Sequence, residues 1–174
     1  LWKEQDCIAI LSTKIVTEIA GITKKLNGKM TLTKKGTSFL KSENRQIFFE
    51  LFISTFADKF NWSYNDGYPE KPVGQIGWTF TIFLLGKYGN QFHSDSFYAE
   101  KYLKALPNFL KDFENSIFRT KVEYFNNCFR VRSFERFLEW FGLVEIQREG
   151  GTLLDKKVTI KSASILTKIF NIDI

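Results

Sequence analysis

The stretch SFERFLEWFGLVEIQREGGTLLDKKVTIKSASILTKIF, residues 133–170, decides the fold. Four of its apolar residues recur at the spacing of one helical face: Phe134, Phe137, Leu138 and Phe141. This face predicts a short helix that ends at Gly142, because glycine readily adopts the left-handed conformation that closes a helix. Two strand-like runs around a turn follow, and then a closing helix. The stretch therefore predicts a helix, a β-hairpin and a second helix in that order.

A shorter copy of this pattern lies near the N-terminus. Ser12 and Gly21 are separated by nine positions, as are Ser133 and Gly142, and an aliphatic residue follows each glycine. Each serine is expected to cap a helix and each glycine to end it. Residues 2–11 predict a further helix before Ser12. The two ends of the chain thus form an internal repeat.

The N-terminal copy also carries the strongest local signal for a hairpin. Asn27 and Gly28 stand between two short strand-like runs, and both tolerate the positive φ angles of a tight turn. Thr33 follows the second run and can cap another short helix. The hairpin of this copy is about seven residues shorter than that of the C-terminal copy.

These features resemble the C-terminal part of winged-helix DNA-binding domains. In that family a recognition helix ends in a Gly-Leu step, a hairpin wing follows, and a phrase similar to LTxxG opens the last helix. TKKG at residues 33–36 fits this phrase, whereas KSAS at residues 161–164 departs from it. The resemblance implies a recognition helix that enters the major groove and a wing that contacts phosphates. The part between the copies resembles uncharacterised bacterial proteins.

The remainder of the chain predicts helices. Apolar periodicity favours them over residues 42–60, 97–105, 108–118 and 121–128. Residues 73–88 have an apolar density that also suits a buried strand, but their length favours a buried helix. Residues 61–72, which contain Asn-Asp-Gly and two prolines, predict a loop. The expected fold is mainly α with short β-hairpin wings, an α+β class with tandem winged-helix-like modules around a helical core. We expect three parts: winged-helix-like modules at residues 1–42 and 108–174, and a helical middle at residues 43–107.

Composition sets further bounds. With 174 residues, 44% of them hydrophobic and 19 of them Phe, the chain can bury a large aromatic core. Two distant cysteines, Cys7 and Cys128, favour reduced thiols in the cytoplasm. No apolar run approaches the roughly 20 residues that a membrane span needs, so no membrane partner is expected. The chain begins at Leu1 instead of Met, which predicts that an upstream segment was removed.

The net charge of +6 is compatible with nucleic acid, and its distribution favours the N-terminal copy. The helix and hairpin there present seven candidate DNA-binding residues: Lys14, Thr17, Lys24, Lys25, Lys29, Lys34 and Lys35. From Lys24 to Lys35 no carboxylate interrupts the lysines, as suits a phosphate-contact patch. The alternative is a solvated hairpin edge, on which lysines discourage aggregation between strands.

The C-terminal copy suits DNA less well. Its predicted helix turns Glu135, Arg136 and Glu139 outward, and two carboxylates repel a polyanion. Basic residues around this face are nevertheless candidates for phosphate contact, with Arg136 reading a guanine edge. The candidates are Arg130, Arg132, Arg136, Arg148, Lys156 and Lys157. The alternative is that they form surface ion pairs with neighbouring carboxylates, each of which contributes little.

Three aromatic residues in the predicted loop, Trp62, Tyr64 and Tyr68, form a second candidate site. They can line a groove that binds a partner protein, or they can cover a small core.

Enzymatic chemistry finds no support in the residue pattern. His93 is the one histidine, and beside Ser94, Asp95 and Ser96 it fits helix capping better than catalysis. The sequence contains no zinc-ligand set, no phosphate-binding loop and no dinucleotide-binding turn, so we expect no metal and no cofactor. The leading hypothesis is a regulator or accessory factor that binds nucleic acid, with double-stranded DNA as the expected partner. The alternative is a protein-interaction module with a winged-helix fold that does not bind DNA.

Overall fold

The structure is a computed structural model that describes residues 3–150 and 157–170. It belongs to the α+β class and is mainly helical with two small antiparallel sheets, as the sequence predicts. The chain divides into two compact units, unit 1 (Leu1–Asn61) and unit 2 (Trp62–Ile174). The finer division into two winged-helix-like ends and a helical middle stays a prediction. Within the described ranges, no helix has both the length and the apolar character needed to cross a membrane.

Among its described residues, unit 1 combines three α-helices and two 3-10 helices (Glu4–Asp6 and Ser42–Asn44) with one hairpin. Its elements are α1 (Ile8–Ile19), β1 (Thr23–Leu26), β2 (Lys29–Leu32), α2 (Lys34–Ser38) and α3 (Arg45–Asp58). The prediction that Ser12 begins a new helix is wrong, because Ser12 lies inside α1 and is buried on the same face as Val16. Residues four positions apart lie on the same face of a helix, so Ser12 shares the buried face of Val16, where its small side chain can be packed.

The hairpin follows from its turn residues. Asn27 and Gly28 adopt φ angles of 50° and 74°, the left-handed conformations that a two-residue hairpin turn of this type requires. Their geometry sets the register, in which Leu26 lies opposite Lys29 and Thr23 lies opposite Leu32. The predicted hairpin is therefore confirmed.

A close approach between backbones fixes α2 against the base of the hairpin. The Thr33 hydroxyl donates to the Gly21 carbonyl at 2.7 Å and accepts from the Gly36 amide at 3.0 Å, so it caps α2 as predicted. A Cβ atom at Gly36 would lie 2.1 Å from the Ile22 carbonyl oxygen. Only glycine fits at this position.

Unit 2 places a three-stranded sheet beside its helices. Its elements are α4 (Trp78–Tyr88), β3 (His93–Ser94), α5 (Asp95–Ala105), α6 (Lys121–Phe129), a π-helical segment (Arg130–Leu138), β4 (Val144–Glu149), β5 (Lys157–Ser162) and α7 (Leu166–Ile169). The strand order is β3-β5-β4, and both pairings are antiparallel. Ser94 caps α5 by accepting from the Phe97 amide, as its position predicts.

Three predicted helix boundaries in unit 2 are wrong. The helix expected from residue 73 begins at Trp78. Ser133 does not begin a helix, because α6 continues without a break into the π-helical segment, where Ser133 is buried. The helix expected over residues 108–118 is a 3-10 helix that ends at Asp112. Beyond it, Asn115 and Ser116 bond the backbone with their side chains, an alternative to helical bonding that these residue types favour.

The helix ends of the internal repeat share one backbone geometry. Gly21 and Gly142 have φ angles of 69° and 68°. In unit 1 the Ile22 amide donates to the Thr17 carbonyl at 2.9 Å, and in unit 2 the Leu143 amide donates to the Leu138 carbonyl at 2.8 Å. These are the bonds of a Schellman motif, which ends a helix and directs the chain into the following strand.

The hairpins of both copies also close alike. The Ile22 carbonyl accepts from Thr33 N at 3.0 Å, and the Leu143 carbonyl accepts from Ala163 N at 3.0 Å. Each apolar residue after the glycine is buried, Ile22 at 4% exposure and Leu143 at 0%. The shared spacing in the sequence thus corresponds to a shared turn.

Two buried tyrosines in the core of unit 2 differ in their hydroxyl partners. The Tyr102 hydroxyl donates to the Ile76 carbonyl and accepts from the Gly74 amide, which fixes the chain before α4. The Tyr98 hydroxyl is buried without a hydrogen-bond partner among the described atoms. Burial raises the pKa of both hydroxyls to about 12, so both stay protonated at neutral pH.

Substitution of Gly36 by Ala is expected to destabilise unit 1 by about 2–3 kcal/mol, because the new methyl group meets a backbone carbonyl that cannot move independently. Hydrogen exchange of the hairpin amides measures the loss. Gly28→Ala is the matched control: open space surrounds its Cβ position, so only the left-handed backbone costs about 1–2 kcal/mol. Equal losses in the two variants would contradict the close approach at Gly36.

Removing the hydroxyl of Tyr102 is expected to cost about 1–3 kcal/mol, since it leaves buried backbone groups unpaired. The Tyr98→Phe variant removes a hydroxyl that has no partner and should match or exceed the wild-type stability. Urea denaturation followed by tryptophan fluorescence measures both, because Trp62, Trp78 and Trp140 lie in unit 2. The assignment fails if Tyr98→Phe is the more damaging change.

Candidate nucleic-acid interface

The candidate interface in unit 1 is the lysine hairpin, defined by Lys24, Lys25, Lys29 and Lys34. All four residues are exposed. Lys24 lies opposite Thr31 and Lys25 opposite Met30, so consecutive lysines point to opposite faces of the hairpin. Lys29 lies opposite Leu26 and therefore shares the face of Lys24. The charges surround the hairpin and do not form a single row.

No counter-charge accompanies these lysines in the described part of the chain. None of the four ammonium groups takes part in an ion pair there. Residues 19–42 contain no Asp or Glu, and the nearest carboxylates in the sequence are Glu18 and Glu43. A hairpin with several uncompensated cations attracts anions and gains free energy by displacing condensed counterions from a polyanion.

Three other predicted DNA contacts in unit 1 have partners within the unit. Lys14 forms an ion pair with Glu4. The Thr17 hydroxyl donates to the Lys14 carbonyl at 2.9 Å and accepts from the Thr23 hydroxyl at 3.0 Å, which ties β1 to α1. Contact of these two residues with DNA stays a prediction.

Lys35 has a structural contact of its own. Its Nζ donates to the Ala20 carbonyl at 3.0 Å, at the C-terminal end of α1. The last carbonyls of a helix lack intrahelical donors and carry partial negative charge, so a cation there is stabilising. Lys35 thus holds the hairpin base, while the lysine hairpin supplies the accessible charge.

Arg132 was predicted to contact phosphate, and the structure corrects this assignment. Its side chain and that of Asp66 are both 0% exposed, and Nε lies 2.5 Å from Asp66 Oδ2. The two terminal nitrogens donate to the carbonyls of Lys71 and Pro69, the latter at 2.9 Å. A buried guanidinium requires a paired charge and bonded donors, and Arg132 has both. We call this arrangement the arginine clamp.

Arg136 extends the arginine clamp by one helical turn. Its terminal nitrogens donate to the Tyr64 carbonyl at 3.0 Å and the Asn65 carbonyl at 3.1 Å. Burial lowers the pKa of the Arg136 guanidinium below its ordinary value, and the charge of Asp66 opposes this shift. Both arginines therefore fasten residues 64–71 of the loop to the helix. The role of Arg136 in reading a base stays a prediction.

The other two predicted arginines form ion pairs. Arg130 lies 3.1 Å from Asp95 Oδ2. Arg148 on β4 donates to both oxygens of Glu139, at 2.8 and 2.6 Å, a bidentate geometry. Hydrogen bonds to Glu139 are the main cause that raises the pKa of Arg148 above its ordinary value. These contacts match the surface-pair alternative.

Two lysines of the C-terminal copy complete the predicted set. Lys157 lies opposite Glu149 in the sheet, and its Nζ is 3.9 Å from Glu149 Oε2. Lys156 lies outside the described residues. Within the described residues, unit 2 therefore pairs each predicted cation with a carboxylate or a carbonyl, in contrast to the lysine hairpin.

The aromatic loop is largely a cover for the core. Trp62 is only 2% exposed and packs on Phe137 with ring centroids 4.7 Å apart, so its assignment as a partner-binding residue is corrected. Tyr68 is partly buried against Tyr124, and burial is the largest cause that raises the pKa of its hydroxyl. Tyr64 is 38% exposed and stays a candidate contact.

Two side chains with potential reactivity, Cys128 and His93, are packed against other residues of the protein. The Cys128 thiol is buried, and desolvation raises its pKa to about 12, which keeps it protonated and a poor nucleophile. His93 stacks on Phe97 with ring centroids 4.2 Å apart. No group of three or more potential metal ligands occurs in residues 3–150 and 157–170.

Sequence reasoning missed an exposed apolar pair, Ile117 and Phe118, since it placed both at the end of a helix. They are 95% and 83% exposed. Their signal in the sequence is local: Asn115-Ser116 and Thr120 flank the pair with residues that favour turns and helix caps.

Comparison of the chain with protein-family models, with curated proteins and with solved structures gave no match.

Replacing Arg132 by Met is expected to lower the free energy of unfolding of unit 2 by about 3–5 kcal/mol, because Asp66 would keep a buried, unpaired charge. Urea denaturation followed by tryptophan fluorescence measures this loss. In the control Arg148→Met, a partly exposed pair is removed, and the expected loss is about 1 kcal/mol or less. Similar stabilities for the two variants would contradict the arginine clamp.

Proposed function

We propose that this protein binds double-stranded DNA through the lysine hairpin of unit 1 and acts as a regulator or accessory factor. The observation that carries the proposal is a group of four exposed lysines, three on the hairpin and Lys34 at the start of α2, none of which forms an ion pair among the described residues. Contact is mainly with phosphates and is therefore largely independent of base sequence. The proposed role is one of binding, not catalysis.

The resemblance to winged-helix domains supports this assignment. In those domains the wing contacts the DNA backbone beside the recognition helix, and β1 and β2 have the position of the wing after α1. A turn built from Asn27 and Gly28 presents its lysines with little freedom of the backbone, which lowers the entropy lost on binding. The base of the hairpin is held by Lys35 and Thr17, so the turn extends from a fixed support.

We also propose that unit 2 is a winged-helix domain, longer than the sequence indicates. From α4 to β5 its elements follow the order helix, strand, helix, helix, strand, strand, and β3 pairs beside β5 at the sheet edge. This order resembles the winged-helix arrangement. The proposed domain extends over residues 78–162, whereas the sequence favours a start at residue 108.

A second candidate function is protein interaction by unit 2 without DNA contact. The pairing of its arginines favours this role, because Arg130 and Arg148 have carboxylate partners and Arg132 is buried. A surface whose cations are already neutralised gains little from a polyanion. DNA contact by the lysine hairpin and a protein contact by unit 2 are compatible with each other.

Binding of a short random-sequence duplex, measured by fluorescence anisotropy, tests the proposed function. Four neutralised phosphates predict that log K falls with log salt with a slope of about −3.6 between about 50 and 200 mM. The variant with Lys24, Lys25 and Lys29 changed to Ala should bind more weakly and lose about 2.7 of that slope.

The matched control changes Lys41, Lys111 and Lys168 to Ala, which removes the same charge from exposed positions outside the lysine hairpin. This control should retain most of the affinity and the slope. Absence of binding at the lowest salt concentration would refute the proposal. Equal losses in both triple variants would show that net charge, and not the lysine hairpin, governs the interaction.

A further inference from the structure

Two helices of unit 2, α4 and α5, bring aromatic rings and lysines into contact with one another. Each ring of the group adjoins another ring or a lysine ammonium of the same group. We call it the lysine–ring cluster, which consists of Phe80, Phe83, Lys87, Tyr88, Phe97 and Lys101. All of its residues belong to unit 2, so the cluster shares none with the lysine hairpin.

On α4, two rings and a lysine lie along one face. Phe80, Phe83 and Lys87 recur at i, i+3 and i+7, so they share one side of the helix. The ring centroids of Phe80 and Phe83 are 6.2 Å apart, and Lys87 Nζ lies 6.0 Å from the Phe83 centroid. Phe83 is 40% exposed and Lys87 is exposed, so solvent reaches this face of α4.

Lys101 of α5 joins this face to a second pair of rings. Its Nζ lies 4.4 Å from the Tyr88 centroid and 4.5 Å from the Phe97 centroid. The Tyr88 and Phe97 rings meet edge to face at 5.4 Å, and Lys87 Nζ lies 5.7 Å from the Tyr88 centroid. His93 stacks on Phe97 and holds its ring in place. The rings of both helices therefore form one continuous group.

The lysines of the cluster have no carboxylate partner among the described residues. Neither Lys87 nor Lys101 forms an ion pair there. Residues 71–94 contain no Asp or Glu. The hydrogen bond to Lys104 is the main cause that lowers the pKa of Glu100, and Lys101 contributes least to this shift. The two carboxylates of α5 pair with other residues at 3.1 and 2.9 Å: Asp95 with Arg130, and Glu100 with Lys104.

We infer that the lysine–ring cluster binds single-stranded nucleic acid. Bases stack on aromatic rings, and cations beside the rings contact the phosphates that connect the bases. A single strand offers free base faces, whereas a duplex keeps its bases stacked inside the helix. The inference goes beyond the contact of the lysine hairpin, which depends on phosphates.

The strengths of the competing contacts favour an exchange of partners at the rings. A lysine over an exposed ring contributes a factor of about 2 to 5 to an equilibrium constant, whereas a stacked base contributes a factor of about 5 to 150. A base that takes a ring face leaves the displaced ammonium free to contact the adjoining phosphate. Lys87 and Lys101 thus cover the rings in the free protein and bind phosphate in the complex.

A membrane surface fits the lysine–ring cluster less well. Binding to lipid requires apolar side chains that reach below the headgroups. Phe80, Tyr88 and Phe97 are half-buried, so only part of each ring is accessible. Partly accessible rings beside cations suit contact with a flat base better than insertion into lipid.

Binding of oligothymidylate to the full chain, measured by fluorescence anisotropy, tests the inference. The comparison ligand is an abasic strand of the same length, which has the same phosphates without bases. The variant with Lys24, Lys25 and Lys29 changed to Ala is the background, so that the lysine hairpin contributes little. We expect oligothymidylate to bind at least about fivefold more tightly than the abasic strand, the gain from one stacked base.

Substitutions in this background identify the residues that make the contact. Phe83→Leu removes a ring but keeps an apolar side chain, and should weaken oligothymidylate binding by about 5- to 150-fold without affecting the abasic strand. Phe118→Leu, at an exposed ring outside the cluster, is the matched control and should bind as the background does. Lys87→Ala and Lys101→Ala should each lower the slope of log K against log salt by about 0.7. Circular dichroism verifies that each variant folds.

Equal affinities for oligothymidylate and the abasic strand would overturn the inference, as would equal losses in Phe83→Leu and Phe118→Leu. Binding to phosphatidylglycerol vesicles that is lost in Phe83→Leu, without any preference for bases, would overturn it in favour of lipid. Duplex binding by the chain with its lysine hairpin intact should be unchanged by Phe83→Leu. The inference and the proposed function can therefore fail separately.

Discussion

The arginine clamp is the constraint on which the organisation of unit 2 depends. Moving a guanidinium and a carboxylate out of water costs several kcal/mol for each ion, so such a pair persists only with excellent geometry and further hydrogen bonds. Arg132 meets this requirement through Asp66 and the carbonyls of Pro69 and Lys71. The planar fork of arginine can bond three acceptors at once, whereas the single ammonium of lysine cannot reproduce this directional arrangement.

The clamp has a second effect, because it brings a segment with little regular structure against the helix core. Loops normally run over the surface, where water satisfies their backbone groups. Here two arginines bond four carbonyls of residues 64–71, so that part of the loop can lie against the core and Trp62 can pack on Phe137. Charge and aromatic packing therefore act together in this part of the protein.

The sequence predicts those features of the fold that local chemistry determines. The turn at Asn27 and Gly28, the cap at Thr33 and the helix end at Gly142 depend on residues within a few positions of each other. Ser133 shows the limit, because a serine suits a helix cap and also a tightly packed helix interior. Arg132 shows a further limit: its partner Asp66 is 66 positions away, and no local pattern joins them. For the candidate interface, the sequence identifies the lysines but not which of them already have partners.

The two copies of the repeat carry their charges differently. Both use a Schellman turn and a closing backbone bond of the same length, so the backbone does not distinguish them where the helix leads into the hairpin. Among the residues that the structure describes, the hairpin lysines of unit 1 form no ion pair, whereas in unit 2 Arg148 on β4 is bound by Glu139. One turn geometry thus supports a hairpin suited to an external anion and another whose charge is satisfied internally.

The π-helical segment Arg130–Leu138 makes unit 2 sensitive to the length of its chain. A π-helix closes its hydrogen bonds over five residues, as when Glu139 N donates to Phe134 O at 2.8 Å. A π-helical turn holds one residue more than an α-helical turn. Loss of one residue here would therefore let the α-helical pattern return while the turns on either side keep their faces. A further insertion between Arg132 and Phe137 would instead rotate these two side chains relative to each other by about 100°, so that one of them would leave its partner. We expect related chains to shorten this helix by one residue more readily than they lengthen it.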